Sequence, residues 1–431
     1  MVISVRPGFY IRGFSSARTA VKDYSLQAKI VKRLLNPPVN LSEEEQRARP
    51  TIRMWLSRWN DTKETERELK EFQDKIMQDV QVAGTKENEL SADGINQWHF
   101  HNSTASKITT PTLLVHGYAA SSMAYYRTFS GLSENIRDLY AIDLPANGLS
   151  KDLPFKAPKQ EPQPLKVKYI DEDKFSIPCE IDVQRNKEII EHCENYYLDK
   201  IEDWRKMNRL EKINLVGHSY GGYLSFKYAL KYPSSVEKLC LVSPAGVESS
   251  IFSINNKFNA KETYTLDMED PSSKFYLRKR QVPAFIFKNQ SDILRWMGPL
   301  GAKLTWSYIT SAYKRLPTVE YKEYLFELIY GRGGIPLTAR QIFTTLFTRH
   351  LLARDPIMDS LDKLQAKNVL LLYGHHDWMN KFAGYKMVER LNSSRRDTSA
   401  DYMEVPEAGH NLMLDNPQFF NNSLIEFLST K

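Results

Sequence analysis

Residues 213–230 carry the sequence INLVGHSYGGYLSFKYAL, in which three local patterns follow one another. The apolar run Ile213–Val216 is typical of a buried strand, and Tyr223–Leu230 is typical of a helix. Between them lies Gly217–His218–Ser219–Tyr220–Gly221, the G-x-S-x-G pattern of a nucleophile elbow, whose sharp turn lifts a serine hydroxyl above the sheet. Glycine has no Cβ and permits the close backbone approach that this turn requires. The stretch predicts that Ser219 is a nucleophile at the start of a helix.

A serine hydroxyl is a weak nucleophile, so it needs an adjacent base that is itself oriented by a carboxylate. Behind a nucleophile elbow these partners follow in the order serine, acid, histidine, each in a loop after a strand. Asp377 comes shortly after the apolar run Val369–Tyr373, and His410 comes after the strand predicted near Tyr402–Val405. We therefore predict a catalytic triad of Ser219, Asp377 and His410.

Other polar residues compete for these roles. His375 and His376 precede Asp377 directly, but they lack the helical spacing of a metal site, so we predict a solvated loop and no metal ligand. Three further acids lie upstream without directly following a strand: Asp355, Asp359 and Asp362. They are weaker candidates for the triad.

An acyl-transfer site also needs two backbone N–H groups that stabilise the oxyanion. The residue after the nucleophile, Tyr220, is predicted to supply one N–H. The other is assigned to Tyr118, in the loop after the predicted strand Thr112–Val115. We expect His116 and His218, which flank these positions, to be structural. The chemistry predicted here requires no metal and no organic cofactor.

Short apolar strands alternate with helices along much of the chain, which indicates an α/β fold with a mostly parallel central sheet flanked by helices. This alternation stops between Ser243 and about Asp355, where the sequence is aromatic and helical. We predict a core domain over 93–245 and 356–431. A helical cap over 246–355 is inserted after the strand that neighbours the elbow strand.

A helical extension is predicted over residues 23–92, ahead of the core. Ser42 followed by Glu43–Glu45 is typical of a capped helix start. Trp55 and Trp59 lie four positions apart and are predicted to share one helical face, while Pro50 separates two helices. Within the core, residues 152–178 are rich in proline and lysine and are expected to form a surface loop.

The 431-residue chain has a formal net charge of +7, and its distribution is uneven. Between Ser250 and His350 there are 15 Lys and Arg residues against 8 Asp and Glu, so the whole excess lies in the predicted cap. This is either a solvated basic surface or a region attracted to anionic lipid headgroups. The apolar stretches Ile293–Met297 and Leu304–Ile309 have basic flanks, which suits a membrane interface, although they could equally pack on the core. No nucleic-acid-binding motif accompanies the charge, so we predict no nucleic-acid partner.

Residues 1–22 contain four basic residues, three serines and no acid, the composition of a mitochondrial transit peptide. The alternative is a disordered basic tail. The three cysteines are too few for a disulfide framework and indicate a reduced compartment. No apolar run approaches the roughly 18 residues of a membrane span.

Three motifs together resemble a known group: Gly217–Leu224, the segment Tyr373–Met379 around Asp377, and His410–Pro417. They resemble the α/β-hydrolase subfamily that includes the animal lipid-droplet lipase coactivator, the N-acyl phospholipid lipases and the yeast mitochondrial cardiolipin-specific phospholipase. The resemblance covers roughly residues 97–427 and implies the α/β-hydrolase fold. The loop 143–148 departs from it, with Ala146 where relatives usually carry glycine.

Combined with the transit-like N-terminus, the resemblance points to the mitochondrial phospholipase. It implies a carboxylic ester hydrolase of phospholipase A type that deacylates cardiolipin to monolysocardiolipin, peripherally bound to the matrix face of the inner membrane. Two alternatives stay open: an acyl-CoA-dependent lysophosphatidic acid acyltransferase, and a lipid-binding coactivator with an idle triad. The family's H-x-x-x-x-D element, here His410 and Asp415, is associated with acyl transfer, but Asp415 is more simply expected to cap the final helix.

Overall fold

The computed structural model describes residues 41–48, 62–278, 280–331, 335–394 and 398–430. The strands within them are β1 Thr85–Leu90, β2 Asn96–His101, β3 Thr112–Val115, β4 Asp138–Ile142, β5 Lys168–Tyr169, β6 Lys174–Ser176, β7 Ile213–His218, β8 Val236–Val242, β9 Tyr264–Thr265, β10 Asn368–Gly374 and β11 Ser399–Val405. The α-helices are α1 Glu43–Arg47, α2 Thr62–Gln78, α3 Phe129–Ser133, α4 Val183–Met207, α5 Tyr220–Lys231, α6 Ala284–Asn289, α7 Asp292–Trp296, α8 Pro299–Ala312, α9 Glu320–Phe326, α10 Leu337–Leu346, α11 Lys381–Ser394, α12 Leu412–Asp415 and α13 Pro417–Ser429. The predictions for residues 1–22 and for Pro50, Trp55 and Trp59 lie outside the described residues.

The central sheet has eight strands in the order β1-β2-β4-β3-β7-β8-β10-β11. The pairs of β1 with β2 and of β2 with β4 are antiparallel, and every other neighbouring pair is parallel. Every residue of β3 and β7 is buried, as expected for strands covered on both faces. The predicted α/β-hydrolase fold with a mostly parallel sheet is confirmed. Because the parallel strands run the same way, their carboxyl ends meet at one edge, where polar loop residues from distant parts of the chain come together.

Strand β1 and a second, small sheet were not predicted from the sequence. β1 has the sequence TKENEL, whose charged residues do not show the apolar pattern of a strand. It nevertheless pairs with β2 at the edge of the sheet. Strands β5 and β6, in the segment predicted as a loop, pair with each other, and β6 pairs with β9. This small sheet packs around the buried Phe175 and Leu266. The segment predicted as a helical cap therefore begins with non-helical chain, and its helices are α6–α10.

The N-terminal segment 41–48 is tied to the cap by a buried ion pair. Ser42 and Glu45 form a reciprocal capping box at the start of α1, as the sequence indicated for Ser42. The Glu45 carboxylate also accepts a 2.7 Å hydrogen bond from Lys322 of α9. Trp306 of α8 donates its indole N–H to the Glu45 carbonyl oxygen at 3.1 Å. The side chains of Lys322 and Glu45 are 5% and 12% exposed, so this contact is shielded from solvent.

Within the described residues, no helix combines the length and the apolar character that crossing a bilayer requires.

The buried pair predicts a stability difference between two neighbouring glutamates of α1. Glu45→Gln leaves the buried Lys322 ammonium without a counter-charge, so we expect the free energy of unfolding to fall by about 3 kcal/mol. Glu44 is exposed on the same helix, and Glu44→Gln is the matched control, expected to change stability by less than about 0.5 kcal/mol. Urea denaturation of both variants checks this. Equal stabilities would contradict the structural role of the pair.

Candidate active site

Ser219 sits at the turn between β7 and α5 in a left-handed conformation, with φ 55° and ψ −115°. Such a conformation costs a non-glycine residue about 1–3 kcal/mol, so its surroundings must hold it in place. The Ser219 N–H donates to the Val242 carbonyl oxygen at 2.8 Å, and its carbonyl oxygen accepts from the Ala245 N–H at 2.9 Å. The end of β8 therefore clamps the elbow on both sides of the serine.

The elbow glycines are required by close backbone approaches. A Cβ on Gly221 would collide with the carbonyl oxygen of His116, and a Cβ on Gly217 would collide with the carbonyl oxygen of Gly221. The loop after β3 is also close, because a Cβ on Gly117 would lie 3.1 Å from the Ser219 Cβ. The turn is therefore pressed against the loop that was predicted to complete the oxyanion site.

Ser219, His410 and Asp377 form a continuous chain of hydrogen bonds. The His410 Nε2 lies 3.0 Å from the Ser219 Oγ, and its Nδ1 lies 3.1 Å from the Asp377 Oδ1. The Asp377 side chain is fully buried, whereas that of His410 is 16% exposed. The structure thus brings together the three predicted residues at distances that suit proton transfer from serine to histidine.

Asp377 stays ionised despite its burial. Burial raises the pKa of the Asp377 carboxyl. Attraction to His410 and hydrogen bonds from His410, the Met379 N–H and the Ser243 hydroxyl lower that pKa by more than burial raises it, so the pKa lies below its usual range. A carboxylate in that state holds the His410 ring in the tautomer that carries its proton on Nδ1. The Nε2 then faces Ser219 as an acceptor, which is the arrangement of a general base.

Ser243 is a functional residue that the sequence analysis missed. It follows β8 directly, is fully buried, has φ 46°, and donates its hydroxyl to the Asp377 Oδ2. The two residues are 134 positions apart. Only its place at the end of a strand next to the elbow strand could have signalled the role, and many serines share that feature.

The loops that carry Asp377 and His410 are packed backbone to backbone. The His375 N–H donates to the Val405 carbonyl oxygen at 2.9 Å, and the His376 N–H donates to the Ala408 carbonyl oxygen at 2.8 Å. A Cβ on Gly374 would collide with the carbonyl oxygen of Gly409, so glycine is required at the end of β10. These contacts fix the acid and the base relative to each other.

The two backbone N–H groups predicted for the oxyanion site make no hydrogen bond to other described residues. The N–H of Tyr220, at the first position of α5, has no partner within the helix. The Tyr118 N–H also donates no hydrogen bond to the part of the chain that the structure describes. The Tyr118 ring stacks on Phe343 with ring centroids 4.0 Å apart, and its hydroxyl donates to Gln290, so the cap holds this loop in place. The role of the two amides in catalysis stays a prediction.

The two histidines expected to be structural have structural contacts. His116 accepts a 2.9 Å hydrogen bond from the Leu144 N–H and lies 2.7 Å from the Gly117 carbonyl oxygen. His218 lies 2.9 Å from the His410 carbonyl oxygen, and burial lowers the pKa of its imidazole to about 3. Burial likewise lowers the pKa of His116. Both rings are therefore neutral, and His218 supports the backbone of the catalytic histidine.

Two of the three competing acids and the first of the two adjacent histidines have other partners. Asp355 pairs with the buried Lys227, and Asp359 accepts hydrogen bonds from Ser249 and Ser253. His375 is exposed and lies 3.2 Å from Glu404. No described contact links Asp355, Asp359 or His375 to Ser219.

The expectation that Asp415 caps the final helix is wrong. Asn416 is the N-cap of α13, where its side chain accepts from the Phe419 N–H. Asp415 instead accepts a 2.8 Å hydrogen bond from the Gly409 N–H and lies 3.3 Å from Arg315 of the cap. It fixes the backbone directly before His410, so its contact with the triad is indirect.

Ser243 provides a test of how Asp377 is held. Ser243→Ala removes a hydrogen bond to the carboxylate, so we expect the rate constant of labelling by a fluorophosphonate to fall about tenfold, equivalent to about 1.4 kcal/mol. Ser249→Ala is the matched control, because that buried serine makes the same kind of bond to Asp359, outside the triad. An equal rate in Ser243→Ala and the wild type would contradict the positioning role.

Comparisons with known proteins agree with the α/β-hydrolase fold. Residues 110–417 match the family model described as alpha/beta hydrolase fold. Protein ECM18 of Saccharomyces cerevisiae is 50% identical over 423 residues, which cover 97% of this chain and 92% of the relative. The 1-acylglycerol-3-phosphate O-acyltransferase ICT1 of the same organism is 51% identical over 368 residues, covering 84% and 92%. Human 1-acylglycerol-3-phosphate O-acyltransferase ABHD5 is 24% identical over 363 residues, covering 84% and 90%. The chain belongs to the α/β-hydrolase fold family, in the group that contains these relatives.

Proposed function

We propose that the protein is a serine-dependent deacylase of membrane glycerophospholipids. We propose further that its substrate is cardiolipin, which it hydrolyses to monolysocardiolipin and a fatty acid. The observation that carries the deacylase proposal is the hydrogen-bonded series Ser219–His410–Asp377 beside two backbone N–H groups. Such a site is suited to acyl transfer from an ester.

In the proposed reaction, His410 accepts the Ser219 proton while the Oγ attacks the ester carbonyl carbon. The resulting oxyanion is stabilised by the N–H groups of Tyr118 and Tyr220. His410 then gives the proton to the departing lysolipid oxygen, which leaves an acyl ester on Ser219. Water attacks that ester in the second half, with His410 again moving the proton, and the fatty acid is released.

The cap offers a surface suited to a lipid bilayer. Several large apolar side chains are exposed in the segment from α6 to α8, and five of them are here called the apolar cap surface: Phe285, Ile286, Trp296, Met297 and Leu300. The Phe285 and Trp296 side chains are each 61% exposed, and their ring centroids lie 6.0 Å apart. Exposed aromatic residues of this kind favour the interfacial region of a membrane.

The cap also differs from residue to residue in charge pairing and in burial. Exposed Lys288 and Lys303 lie within the same segment, and the acid Asp292 is paired with Arg340. Four bases of the cap are paired with carboxylates inside the molecule: Arg278, Arg315, Lys322 and Arg340. Other aromatic residues of the cap are buried: Trp306, Tyr321, Tyr324, Phe326 and Tyr330. The cap thus combines buried aromatic residues with exposed apolar and basic ones, which supports an anionic membrane as partner.

Membrane binding is tested with a double substitution in the apolar cap surface. Trp296→Ser with Leu300→Ser removes two exposed apolar groups, so we expect binding to cardiolipin-containing vesicles to weaken by at least about tenfold. The control is Leu90→Ser with Met207→Ser, which removes two side chains that are each 47% exposed outside the cap. Vesicle co-sedimentation measures both. Equal binding of the two double variants would refute the assignment of this surface.

The substrate proposal predicts a preference for anionic lipid. Two or more bases facing the membrane contribute about 1 kcal/mol each to binding of an anionic surface, so we expect cardiolipin vesicles to be hydrolysed at least about fivefold faster than vesicles of phosphatidylcholine alone. The preference should shrink in high salt because screening weakens it. Fatty-acid release from each lipid measures this, with Ser219→Ala as the inactive control. Equal rates on the two lipids would refute the cardiolipin proposal but leave the deacylase proposal standing.

A second candidate is transfer of an acyl group from acyl-CoA to lysophosphatidic acid, favoured by the name of ICT1 at 51% identity. In that reaction the lysolipid hydroxyl replaces water in the second half. Labelled oleoyl-CoA with lysophosphatidic acid separates the two, because labelled phosphatidic acid indicates transfer and labelled fatty acid indicates hydrolysis.

A lipid-binding coactivator with an idle triad is the remaining alternative. Failure of a fluorophosphonate to label the wild type would favour it.

We also propose that the protein is mitochondrial, at the matrix face of the inner membrane. The composition of residues 1–22 supports this. Fractionation of cells that produce the full chain, with and without residues 2–22, is the test. Mitochondrial recovery that does not depend on these residues would contradict their role as a transit peptide.

A further inference from the structure

A cluster of two histidines and one aspartate lies outside the active site, between β2 and β4. His99 Nε2 is 3.2 Å from the Asp138 Oδ1, and His101 Nδ1 is 2.8 Å from the same oxygen. The three side chains are partly exposed. We propose that His99, His101 and Asp138 bind a divalent metal ion, Zn²⁺. The site lies at the amino ends of the parallel strands, whereas Ser219 lies at their carboxyl ends.

The strand geometry brings the three ligands together. His99 and His101 are two positions apart on β2, so both side chains leave the same face of the sheet. Asp138 is the direct cross-strand partner of His101 in the β2–β4 pair. The two imidazole nitrogens and the carboxylate oxygen all lie within 4.8 Å of one another. A tetrahedral zinc site with bonds of about 2.0–2.1 Å separates its ligand atoms by about 3.3 Å, so small side-chain rotations suffice.

The charges around the cluster favour a cation. On this face β1 presents Glu87 opposite His99 and Glu89 opposite Gln97, while its Lys86 is paired with Phe100 on the other face. The corresponding positions of β4 are Asp138 and Tyr140, so these three strands place carboxylates and no lysine or arginine on this face. Both imidazoles approach the same oxygen of Asp138, so the three groups converge on one point.

Neighbouring groups also help to fix the ligands. The His99 ring stacks on Tyr140 with centroids 4.2 Å apart and planes inclined by 4°, which restrains the ring orientation. Neutral imidazoles with a carboxylate suit Zn²⁺, whereas Ca²⁺ and Mg²⁺ prefer oxygen ligands throughout. Three protein ligands leave the fourth position to water.

The location separates this site from the chemistry at Ser219. β4 begins at Asp138 and runs parallel to β3, which runs parallel to β7. Ser219 follows the carboxyl end of β7, so the cluster lies at the amino ends of the parallel strands. A metal ion here would join β2 to β4 and would take no part in ester cleavage.

Zinc titration of the full chain, produced without a histidine tag and stripped with a chelator, tests the proposal. We expect saturable binding of one ion per chain by calorimetry, and a melting temperature that rises with Zn²⁺ because the ion binds only the folded state. In His99→Gln with His101→Gln, affinity should fall by at least about tenfold. Asp138→Asn should weaken binding in the same direction and gives a second readout should the double variant fold poorly.

The matched control is His375→Gln with His376→Gln, which removes an exposed pair of adjacent histidines elsewhere in the chain. This variant should bind zinc as the wild type does. Substitution with Co²⁺ gives a spectroscopic check, since four-coordinate Co²⁺ absorbs visible light much more strongly than the six-coordinate ion. Absence of saturable zinc binding, or equal affinity in the His99/His101 variant and the wild type, would overturn the proposal.

Discussion

The close backbone crossing at the nucleophile elbow is the constraint on which the site depends. Gly217, Gly221 and the carbonyl group of His116 meet at distances that exclude any side chain, and Ser219 is forced into a left-handed conformation. Hydrogen bonds to Val242 and Ala245 at the end of β8 offset that strain. The result is a hydroxyl placed beside the first amide groups of α5 and within 3.0 Å of His410. If these backbone segments moved apart, Ser219 would lose its place beside His410 and beside the backbone N–H groups predicted to stabilise an oxyanion.

The rest of the triad depends on parallel strands ending side by side. Asp377 and His410 occupy loops after β10 and β11, which pair in parallel from Asn368 with Ser399 to Gly374 with Val405. Ser243 orients the acid, and Asp415 holds the backbone before the histidine. The catalytic groups are therefore held by residues from four separate segments, each at the same edge of the sheet. Asp415 also accepts a hydrogen bond from Arg315, so the cap contacts the segment that follows His410.

The cap makes buried contacts and also has exposed apolar residues. It receives the N-terminal segment through Glu45, Lys322 and Trp306. The apolar cap surface is exposed, and so are Lys288 and Lys303 in the same segment. At the opposite edge of the sheet, His99, His101 and Asp138 form a compact set of metal-ligand types. One sheet thus carries the Ser219–His410–Asp377 site at the carboxyl ends of its parallel strands and a separate polar cluster at their amino ends.

The sequence by itself determined the elbow, seven of the central strands and the three triad residues. It could do so because apolar periodicity reports buried strands locally, and because the order serine, acid, histidine is a property of the chain. The tertiary structure alone decided that TKENEL forms β1, that Ser243 serves Asp377, that Asn416 rather than Asp415 caps α13, and which aromatic residues of the cap are exposed. It also decided that His99 and His101 face Asp138, 37 or more positions away. Local patterns encode whether a segment is a strand or a helix, but contacts between distant segments depend on strand register and loop packing, which no local pattern specifies.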